Sequence, residues 1–437
     1  MVMKKKYIII PNCSDLNRGD QALVWETKRI AEEAGYIGDY YVTVEDNEPV
    51  EQSIRHGFKP ISMVLKHPSR FFKHNDNITY SLSLKIKWGG VALVDFITSL
   101  MLLFPFMRWI IIPLLGKRRK ESIRVFRDSD ALFIKGGGFI HFYGGLTSLY
   151  YAYFSLFHIY FAGSLHKKIF MLPNSIGPFE GVGVKWLVKK ALKKCDLITI
   201  RETLSQEMLR NELGLSFPFY PDLALYLSNS KHSKFDLIKK YDIPDGRKLV
   251  AITMRPHRFP QSKNPQEDYV KFKREMANFI EYLYQAGYMP MPIDHTLAIN
   301  TNENDAICIN EVTKFVTPGH FFYFSDTSLN CKELKSIYSI CDYIVGTRFH
   351  SVIFSFANHI PGIAIRYTGN KAQGIMRDFG LSDYVIDIKD LTCSNLINMF
   401  DKMIKNEDEI KNKIDDYLKF ATEARLKLID ELKNNKL

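Results

Sequence analysis

A strand–helix–strand unit near the carboxyl end constrains the fold of this 437-residue chain most. The run from Ser339 to Gly346 ends in apolar residues and a glycine, which predicts a buried strand that stops at a tight turn. Residues 351–358 predict a short helix, and residues 359–366 predict a turn and a second strand. Such a unit is typical of an open parallel α/β sheet, in which ligands bind beyond the carboxyl ends of the strands.

Three cationic or titratable side chains follow the two strands of this unit. Arg348 and His350 come directly after the first strand, and Lys371 follows the second. Because the carboxyl ends of parallel strands meet at one edge of the sheet, we expect these side chains to favour an anion there, such as a phosphorylated small molecule. Any one of them alone is more often a surface or capping residue, so this interpretation depends on all three occurring in one unit.

The rest of the chain repeats the alternation of strands and helices. Further predicted strands are Lys6–Ile10, Asp130–Lys135, Lys168–Leu172, Asp196–Arg201, Leu249–Arg255 and Tyr288–Ile293. The chain is too long for one typical core, so we predict an α/β fold with two Rossmann-like domains that face a central cleft. We place the amino-terminal domain at residues 1–228, with an apolar helical insertion around residues 88–120. The carboxyl-terminal domain covers residues 229–437 and ends in a charged helical tail.

Charge and cysteine content restrict the partners. The chain has 59 Lys and Arg against 48 Asp and Glu, a net charge of +11 that favours membrane head groups or phosphorylated substrates. We exclude nucleic acid, because the sequence has no zinc-finger spacing, RNA-binding aromatic signature or basic-region helix. Six cysteines without a CxxC pair predict reduced thiols in a cytoplasmic protein. No cluster of metal-ligand residues appears in the sequence, so we expect neither a metal nor a cofactor.

The apolar run from Val91 to Leu115 is long enough to span a bilayer. Asp95, Arg108 and two prolines interrupt it, which disfavours a span because charge inside a membrane is costly. A membrane span, a helix on the membrane surface and a buried core helix all stay open. The basic run Lys117–Lys120 that follows suits anionic lipid head groups, or forms a solvated helix end.

Three other loops have two interpretations each. Asn17–Asp20 follows the first strand, where its glycine permits close backbone approach to a ligand, but Asp20 would equally serve as the N-cap of the next helix. Gly136–Gly138 suggests a cradle for phosphate or sugar, but it lacks the P-loop and GxGxxG patterns. Arg201 ends a strand, and pairing with Glu202 would explain both residues.

Taken in order, these segments resemble the polysaccharide pyruvyltransferase family. The matching segments are Asn17–Asp20, Gly136–Gly138, Ser175–Phe179, Arg201–Glu202 with Ser205, Pro221–Asp222, Gly346–His350 and Tyr367–Lys371. They extend over most of the chain, from about residue 6 to residue 390. The chain departs from the family pattern in its longer first loop, at Pro173–Asn174, where a Gly-Gln pair is common, and over residues 40–127. These departures affect the predicted identity of the acceptor more than that of the donor.

The resemblance implies a GT-B-like fold and an enzyme that transfers pyruvate from phosphoenolpyruvate to a sugar. The sugar would belong to an exo- or capsular polysaccharide of the cell envelope or to its lipid-linked precursor, and the products would be a pyruvate ketal and phosphate. Planar arginines suit this donor, because each can bind its carboxylate or phosphate with two hydrogen bonds. No cofactor is implied.

The resemblance also implies roles for particular residues. The carboxyl-terminal domain would lie on the donor side, and the donor-binding residues would be Arg348, Phe349, Arg201 and Lys371. The catalytic residues would be His350, Arg348 and Arg201, with His350 as the acid that protonates the methylene carbon. The acceptor would meet Asn17, Asp20, Gly137 and Gly138 on the amino-terminal side.

The acceptor would be a saccharide carried on a membrane lipid at the cytoplasmic face. The basic charge and the apolar run from Val91 to Leu115 lead us to expect a protein that is peripheral on the inner face of the cytoplasmic membrane. Two other functions stay open. A nucleotide-sugar glycosyltransferase of the GT-B type would also need an acidic residue over the nucleotide ribose, which we cannot assign. A non-catalytic polysaccharide assembly protein would not need the intact Arg348 and His350 pair. The sequence does not predict the oligomeric state.

Overall fold

The computed structural model describes residues 4–45, 48–65, 81–145, 147–298, 303–367 and 369–436. The chain forms two compact units. The first unit comprises Met1–Ser14, Thr27–Tyr220 and Lys427–Leu437, and the second unit comprises Asp15–Glu26 and Pro221–Leu426. The main boundary therefore lies at residues 220/221, whereas the sequence placed it at 228/229, and a short early segment belongs with the second unit.

The first unit contains a seven-stranded parallel sheet. Its strands are β1 Lys6–Ile10, β2 Asp39–Val44, β3 Phe58–Ser62, β4 Ala131–Ile134, β5 Gly137–Tyr143, β6 Lys168–Glu180 and β7 Leu197–Ile200. The order is β3-β2-β1-β4-β6, and β5 and β7 also pair with β6. Buried apolar residues of these strands, among them Ile8, Leu132 and Ile169, form the core with the neighbouring helices.

Strand β6 differs from its prediction. The sequence indicated a strand ending at Leu172 and then a loop, but β6 continues to Glu180. Its first part pairs with β4, and its second part pairs with β5, where Gly137 lies opposite Asn174. Because β5 supplies hydrogen-bonding partners, a segment with proline and polar residues extends as a strand. The glycine run Gly136–Gly138 is therefore not a free loop, since Gly137 and Gly138 begin β5.

Eight α-helices of the described ranges come before the main boundary in the chain. They are α1 Arg18–Glu33, α2 Glu51–Arg55, α3 Leu82–Leu103, α4 Pro105–Ile111, α5 Lys117–Asp128, α6 Ser148–Ser164, α7 Val184–Leu192 and α8 Thr203–Met208. After α8, a π-helical turn over Leu209–Leu213 ends at Gly214, which has a φ of 63°. A left-handed residue at this point ends a helix.

The second unit contains a five-stranded parallel sheet in the order β12-β11-β10-β8-β9. Its strands are β8 Leu249–Thr253, β9 Met289–Pro292, β10 Tyr343–Gly346, β11 Gly362–Arg366 and β12 Val385–Asp387. Its helices are α9 Lys234–Lys240, α10 Pro265–Gln285, α11 Asp305–Thr313, α12 Cys331–Tyr338, α13 Phe349–Phe356, α14 Lys371–Asp378, α15 Cys393–Lys405 and the first part of α16 Glu407–Asn434. From Lys427 onward, α16 belongs to the first unit.

The strand–helix–strand unit that opened the sequence analysis is confirmed as β10, α13 and β11. Every residue of β8 and β10 is buried, as expected for central strands of a parallel sheet covered on both faces. Two sheets of this kind, each with helices between its strands, confirm two Rossmann-like α/β folds.

The apolar stretch of the sequence forms α3 and α4, and α3 is long and apolar enough to cross a membrane. Only 17% of its most apolar 18-residue window is buried inside the protein. A core helix would be mostly buried, so the buried-helix interpretation of this stretch is wrong.

Candidate functional site

The ends of three adjacent strands, β11, β10 and β8, build the candidate site of the second unit. Arg348 caps α13, and His350 lies in its first turn. Gly346, Thr253 and Ser351 fix this turn. The two hydroxyls are hydrogen-bonded at 2.8 Å, and a Cβ atom at Gly346 would lie 2.7 Å from the Thr253 hydroxyl. Only glycine therefore fits at the end of β10.

Arg348 is held by two acidic residues near the start of α11. Its Nε atom donates to Asp305 at 2.7 Å, and its two terminal nitrogens donate to the side chain and the backbone carbonyl of Glu303 at 3.0 and 2.7 Å. Asp305 is fully buried, and burial raises its pKa to about 6 although the Arg348 charge opposes this shift. Burial acts to lower the pKa of Arg348, but Asp305 and Glu303 outweigh it and leave that pKa raised. These contacts fix the position of the Arg348 guanidinium, and the two carboxylates compensate its positive charge.

Arg255 is a site residue to which the sequence analysis gave no role. Its guanidinium donates to the Glu303 carboxylate at 2.8 Å and lies 4.4 Å from the centre of the Tyr367 ring. One carboxylate thus bridges Arg255 and Arg348. Burial would raise the pKa of Glu303, but the two arginines outweigh it and lower that pKa. The signal in the sequence was the position of Arg255 just past the end of β8, the neighbour of β10.

His350 and Lys371 are in contact. The Lys371 ammonium lies 3.0 Å from Nε2 of His350, and the carboxylate of Asp222 lies 3.9 Å from the same nitrogen. Because an ammonium group only donates, this contact requires an unprotonated Nε2. Lys371 also lies 5.8 Å from the centre of the Phe349 ring. The imidazole of His350 therefore lies between an ammonium group and a buried carboxylate.

The start of α1 belongs to this site. Leu297 donates its backbone N–H to Leu16 at 2.8 Å, and Arg18 donates to the carbonyls of Thr327 and Leu329. These contacts fasten the segment to the second unit. A Cβ atom at Gly19 would lie 2.1 Å from Nδ1 of His350, so the imidazole packs against bare backbone.

Asn17, not Asp20, caps this helix. The side chain of Asn17 accepts the backbone N–H of Asp20 at 3.2 Å and donates to its carboxylate at 2.8 Å. The capping turn weighed for this loop is therefore present, but its N-cap residue is Asn17 and not Asp20. The sequence placed both residues on the amino-terminal side, whereas in the structure they belong to the second unit with His350.

A separate polar network occupies the first unit. Arg201 donates from Nε and a terminal nitrogen to the Ser175 hydroxyl at 3.0 and 2.6 Å, and Ser175 donates to Glu202 at 2.6 Å. The other oxygen of Glu202 accepts the Ser205 hydroxyl, which itself accepts the backbone N–H of Ile176 at 2.8 Å. Arg201 and Glu202 are fully buried and 3.8 Å apart. The pairing weighed for these two residues is thus present as a buried ion pair, and the Ser175 hydroxyl also relays the contact between them.

Gly138 lies against this network, because a Cβ atom there would be 3.2 Å from a terminal nitrogen of Arg201. The structure therefore gathers the predicted residues into two groups. The first unit holds Arg201, Gly137 and Gly138, and the second unit holds Asn17, Asp20, Arg348, Phe349, His350 and Lys371.

No group of three or more His, Cys, Asp or Glu side chains that could hold a metal ion occurs in the described ranges. That the protein uses no metal and no cofactor stays a prediction.

The fold is similar to that of several solved structures. The S. aureus MnaA-UDP co-structure has a TM-score of 0.52 at 13% identity, covering 94% of this chain and 91% of that chain. A putative UDP-N-acetylglucosamine 2-epimerase from Listeria monocytogenes has a TM-score of 0.55 at 11% identity, with the same coverage of 94% and 91%. Arabidopsis thaliana UGT89C1 complexed with UDP has a TM-score of 0.56 at 10% identity, covering 99% of each chain. At these identities the likeness shows the fold alone, and it confirms the predicted GT-B-like architecture.

Sequence comparison is more specific. The amylovoran biosynthesis protein AmsJ of Erwinia amylovora is 22% identical over 304 residues, which cover 67% of this chain and 71% of AmsJ. The sequence profile described as Polysaccharide pyruvyl transferase matches residues 17–369. This range includes both polar networks, from the Asn17 cap to the Arg348 and His350 turn, and ends just before Lys371. The chain therefore belongs to the polysaccharide pyruvyl transferase family.

Proposed function

We propose that this pyruvyltransferase uses phosphoenolpyruvate as its donor and joins the pyruvyl carbon to two hydroxyls of one sugar, forming a cyclic ketal and releasing phosphate. The family and the likeness to a protein named for amylovoran biosynthesis support transfer to a polysaccharide or its precursor. The observation that carries the proposal is the contact of His350 with Lys371, 3.0 Å apart beyond the ends of β10 and β11. It combines an acid–base group with a cation for the donor.

The donor carries a carboxylate and a phosphate on a small frame, so it needs several cations. We assign Lys371 to one of these groups, with Phe349 beside it. The other anionic group of the donor replaces the Glu303 carboxylate between Arg255 and Arg348. Those two guanidinium groups already hold one carboxylate, at 2.8 and 3.0 Å. The donor role of Arg201, in the first unit, stays a prediction.

His350 is the proposed acid. Its imidazole lies between the Lys371 ammonium and the Asp222 carboxylate. When the donor anion binds Lys371, that positive charge is compensated and the imidazole gains a proton. His350 then protonates the methylene carbon, and the first sugar hydroxyl adds to the central carbon and returns its proton to His350. Phosphate leaves, the second hydroxyl closes the ring, and its proton leaves with the phosphate. The surrounding cations stabilise the departing phosphate.

The acceptor is proposed to be a lipid-linked precursor at the inner face of the cytoplasmic membrane, with the protein peripheral to that membrane. The net charge of +11 supports this, since anionic head groups attract basic proteins. Asp20 is the proposed hydroxyl anchor or base, because its helix start packs against His350 through Gly19. The acceptor roles of Asn17, Gly137 and Gly138 stay predictions.

The test is phosphate release from phosphoenolpyruvate by the purified protein, with a panel of galactose, mannose and N-acetylhexosamine acceptors and detection of the ketal by mass spectrometry. We expect acceptor-dependent release that is lost in His350→Ala. The matched control is His359→Ala, which removes a histidine that is 62% exposed and bound to Asp415 on the surface. Equal activity of the His350→Ala variant would contradict the assigned acid.

Nucleotide-sugar transfer is the second candidate, because two of the similar structures were solved with UDP. The same panel run with UDP-sugars separates the two donors. Turnover of a UDP-sugar without any reaction of phosphoenolpyruvate would overturn the pyruvyl donor. Normal polysaccharide output from a cell carrying an R348A/H350A double variant would instead support a non-catalytic role.

A further inference from the structure

Helices α3 and α4 expose an unusual number of large apolar side chains. Ile86, Leu93, Ile97 and Phe104 are 50 to 67% exposed, and they follow one another at helical spacing along α3. On α4, Phe106 and Trp109 are 69 and 83% exposed, with Trp109 among the most exposed large side chains of the described chain. A contiguous apolar surface of this kind marks an interaction site in a soluble protein.

The opposite side of α3 is fastened to the first unit by polar contacts. Asp95 accepts a hydrogen bond from Arg119 of α5 at 2.7 Å, and Ser99 is hydrogen-bonded to Tyr153 of α6 at 2.8 Å. Leu102 is buried on the same side. The carboxyl-terminal half of α3 is therefore fastened to the first unit along one side, whereas the large apolar side chains outside that contact have no cover in the described part of the chain.

The same arrangement holds for α4. Arg108 donates to the hydroxyl and the carbonyl of Ser164 at the end of α6, at 2.6 and 3.0 Å. Its neighbour Trp109 points outward. The two charged residues that interrupt the apolar sequence thus both bind the first unit, which leaves the outer surface of α3 and α4 without charge from them.

These contacts distinguish a helix that lies along a membrane from one that crosses it. A crossing helix is surrounded by lipid, so Asp95 would have to be buried in hydrocarbon at considerable cost. Here its carboxylate is held by a partner of the same unit. A helix that is fastened to its own protein along one side and exposes apolar side chains elsewhere lies in the plane of the membrane interface.

Basic residues mark both ends of the apolar surface. Lys85 and Lys87 are exposed at the start of α3, and Lys117 and Arg118 are exposed at the start of α5, just after the apolar run. Such cations match anionic lipid head groups. They disfavour a second copy of the chain as the occupant, because a self-complementary contact between two such surfaces would bring like charges together.

We propose that the outer surface of α3 and α4 docks in the plane of an anionic lipid bilayer. Trp109 and Phe106 enter the head-group region, and the flanking cations bind the head groups. This inference depends on the proposed function only for its purpose, which is to hold the enzyme where a lipid-linked acceptor is found. Binding to vesicles is read without catalysis, so its failure is distinguishable from failure of the pyruvyl donor.

The experiment is co-sedimentation of the full chain with phosphatidylcholine vesicles, with and without phosphatidylglycerol. We expect binding to the anionic vesicles that weakens in high salt. Trp109→Glu should lower the affinity at least about tenfold, because it removes a large apolar group from the interface and adds a repelled charge. The matched control is Phe235→Glu in α9, where the native side chain is 72% exposed but lies on the second unit.

Lys117→Glu should lower binding to anionic vesicles and leave any binding to neutral vesicles unchanged, while Lys389→Glu on the second unit should change neither. Absence of wild-type binding to both vesicles, with a folded protein by circular dichroism, would overturn the proposal. So would a wild-type dimer that Trp109→Glu converts to a monomer, because the surface would then serve self-association. Retention on the vesicles after alkaline carbonate extraction would show a membrane-crossing helix instead.

Discussion

Each unit buries one arginine just beyond the carboxyl end of a strand, and the two arginines are held differently. In the first unit, Arg201 and Glu202 both bind the Ser175 hydroxyl, and their charged groups lie 3.8 Å apart. In the second unit, Arg348 binds Asp305 and Glu303 directly at 2.7 and 3.0 Å. Direct pairing makes Arg348 the more expensive arginine to remove, because its loss leaves a fully buried carboxylate without its cation.

The largest expected effect is the difference in lost stability between variants of the two arginines. Arg348→Met should destabilise the second unit by about 3–5 kcal/mol, the usual cost of breaking a buried ion pair by removing one partner. Arg201→Met should cost the first unit about 1.5–3 kcal/mol, since Glu202 keeps its hydroxyl donors. Hydrogen exchange of β10 and of β7 reports the two local free energies of opening separately.

The control for both variants is Arg127→Met, whose native side chain is 66% exposed and pairs on the surface with Asp128. It should leave both exchange rates unchanged. Equal losses for the two buried arginines would show that the serine relay is as strong as direct pairing.

The pH dependence of the second unit sharpens the comparison. Burial raises the pKa of Asp305 to about 6, above the value of 3.8 for an aspartate in water. The folded state therefore binds this proton more tightly, so the stabilising contribution is fully present below about pH 4 and is lost as the pH rises through about 6. At about 1.4 kcal/mol per pKa unit, the loss is about 3 kcal/mol. Urea unfolding across this pH range measures it.

The matched variant for this pH dependence is Asp305→Asn, because an asparagine side chain does not titrate. Its free energy of unfolding should lack this part of the pH dependence, whatever its absolute stability. Identical slopes for the wild type and this variant would assign the titration to another group.

Gly19→Ala tests whether the chemistry of the second unit depends on the placement of His350. The new Cβ atom would lie 2.1 Å from Nδ1 of His350 and must displace the imidazole. A misplacement of about 1 Å costs about 100-fold in rate, so we expect a loss of kcat of about that size with a smaller change in KM. Gly116→Ala is the control, because nothing lies within 4 Å of a Cβ atom at that position. Full activity of Gly19→Ala would show that His350 does not act from this position.

The smallest effect concerns the relay of the first unit. Ser175→Ala removes the hydroxyl that accepts from Arg201 and donates to Glu202, and it should cost about 1–2 kcal/mol of local stability at β7. Ser328→Ala, which removes an exposed hydroxyl bound to Asp326, should have no measurable effect there. If Ser175→Ala is also silent, Arg201 and Glu202 pair without the serine.

The local patterns of the sequence predicted much of the fold. The buried strands β8 and β10 are short-range features, and alternation of apolar runs with turn residues is enough to find them. The extension of β6 beyond Leu172 was missed, because its hydrogen-bonding partner β5 lies in a glycine-led segment that shows no strand pattern.

The candidate site divides in the same way. The sequence placed Arg348, His350 and Lys371 beyond neighbouring strand ends, and the structure brings His350 and Lys371 into contact. Arg255 and its bridge through Glu303 to Arg348 were not predicted, since nothing local in the sequence reveals that a carboxylate lies between two arginines.

The sequence by itself determined the two α/β series, the cations beyond β10 and β11, and the family, because these depend on periodicity and on short motifs. Only the tertiary structure decided the partners of those cations. Asp305 reaches Arg348, and Gly19 reaches His350, across long separations in the chain that only folding closes. It also decided which face of α3 is apolar and exposed, since Asp95 and Ser99 turn inward to partners on α5 and α6. Burial and pairing are properties of the packed chain, and they set the charge that each site presents.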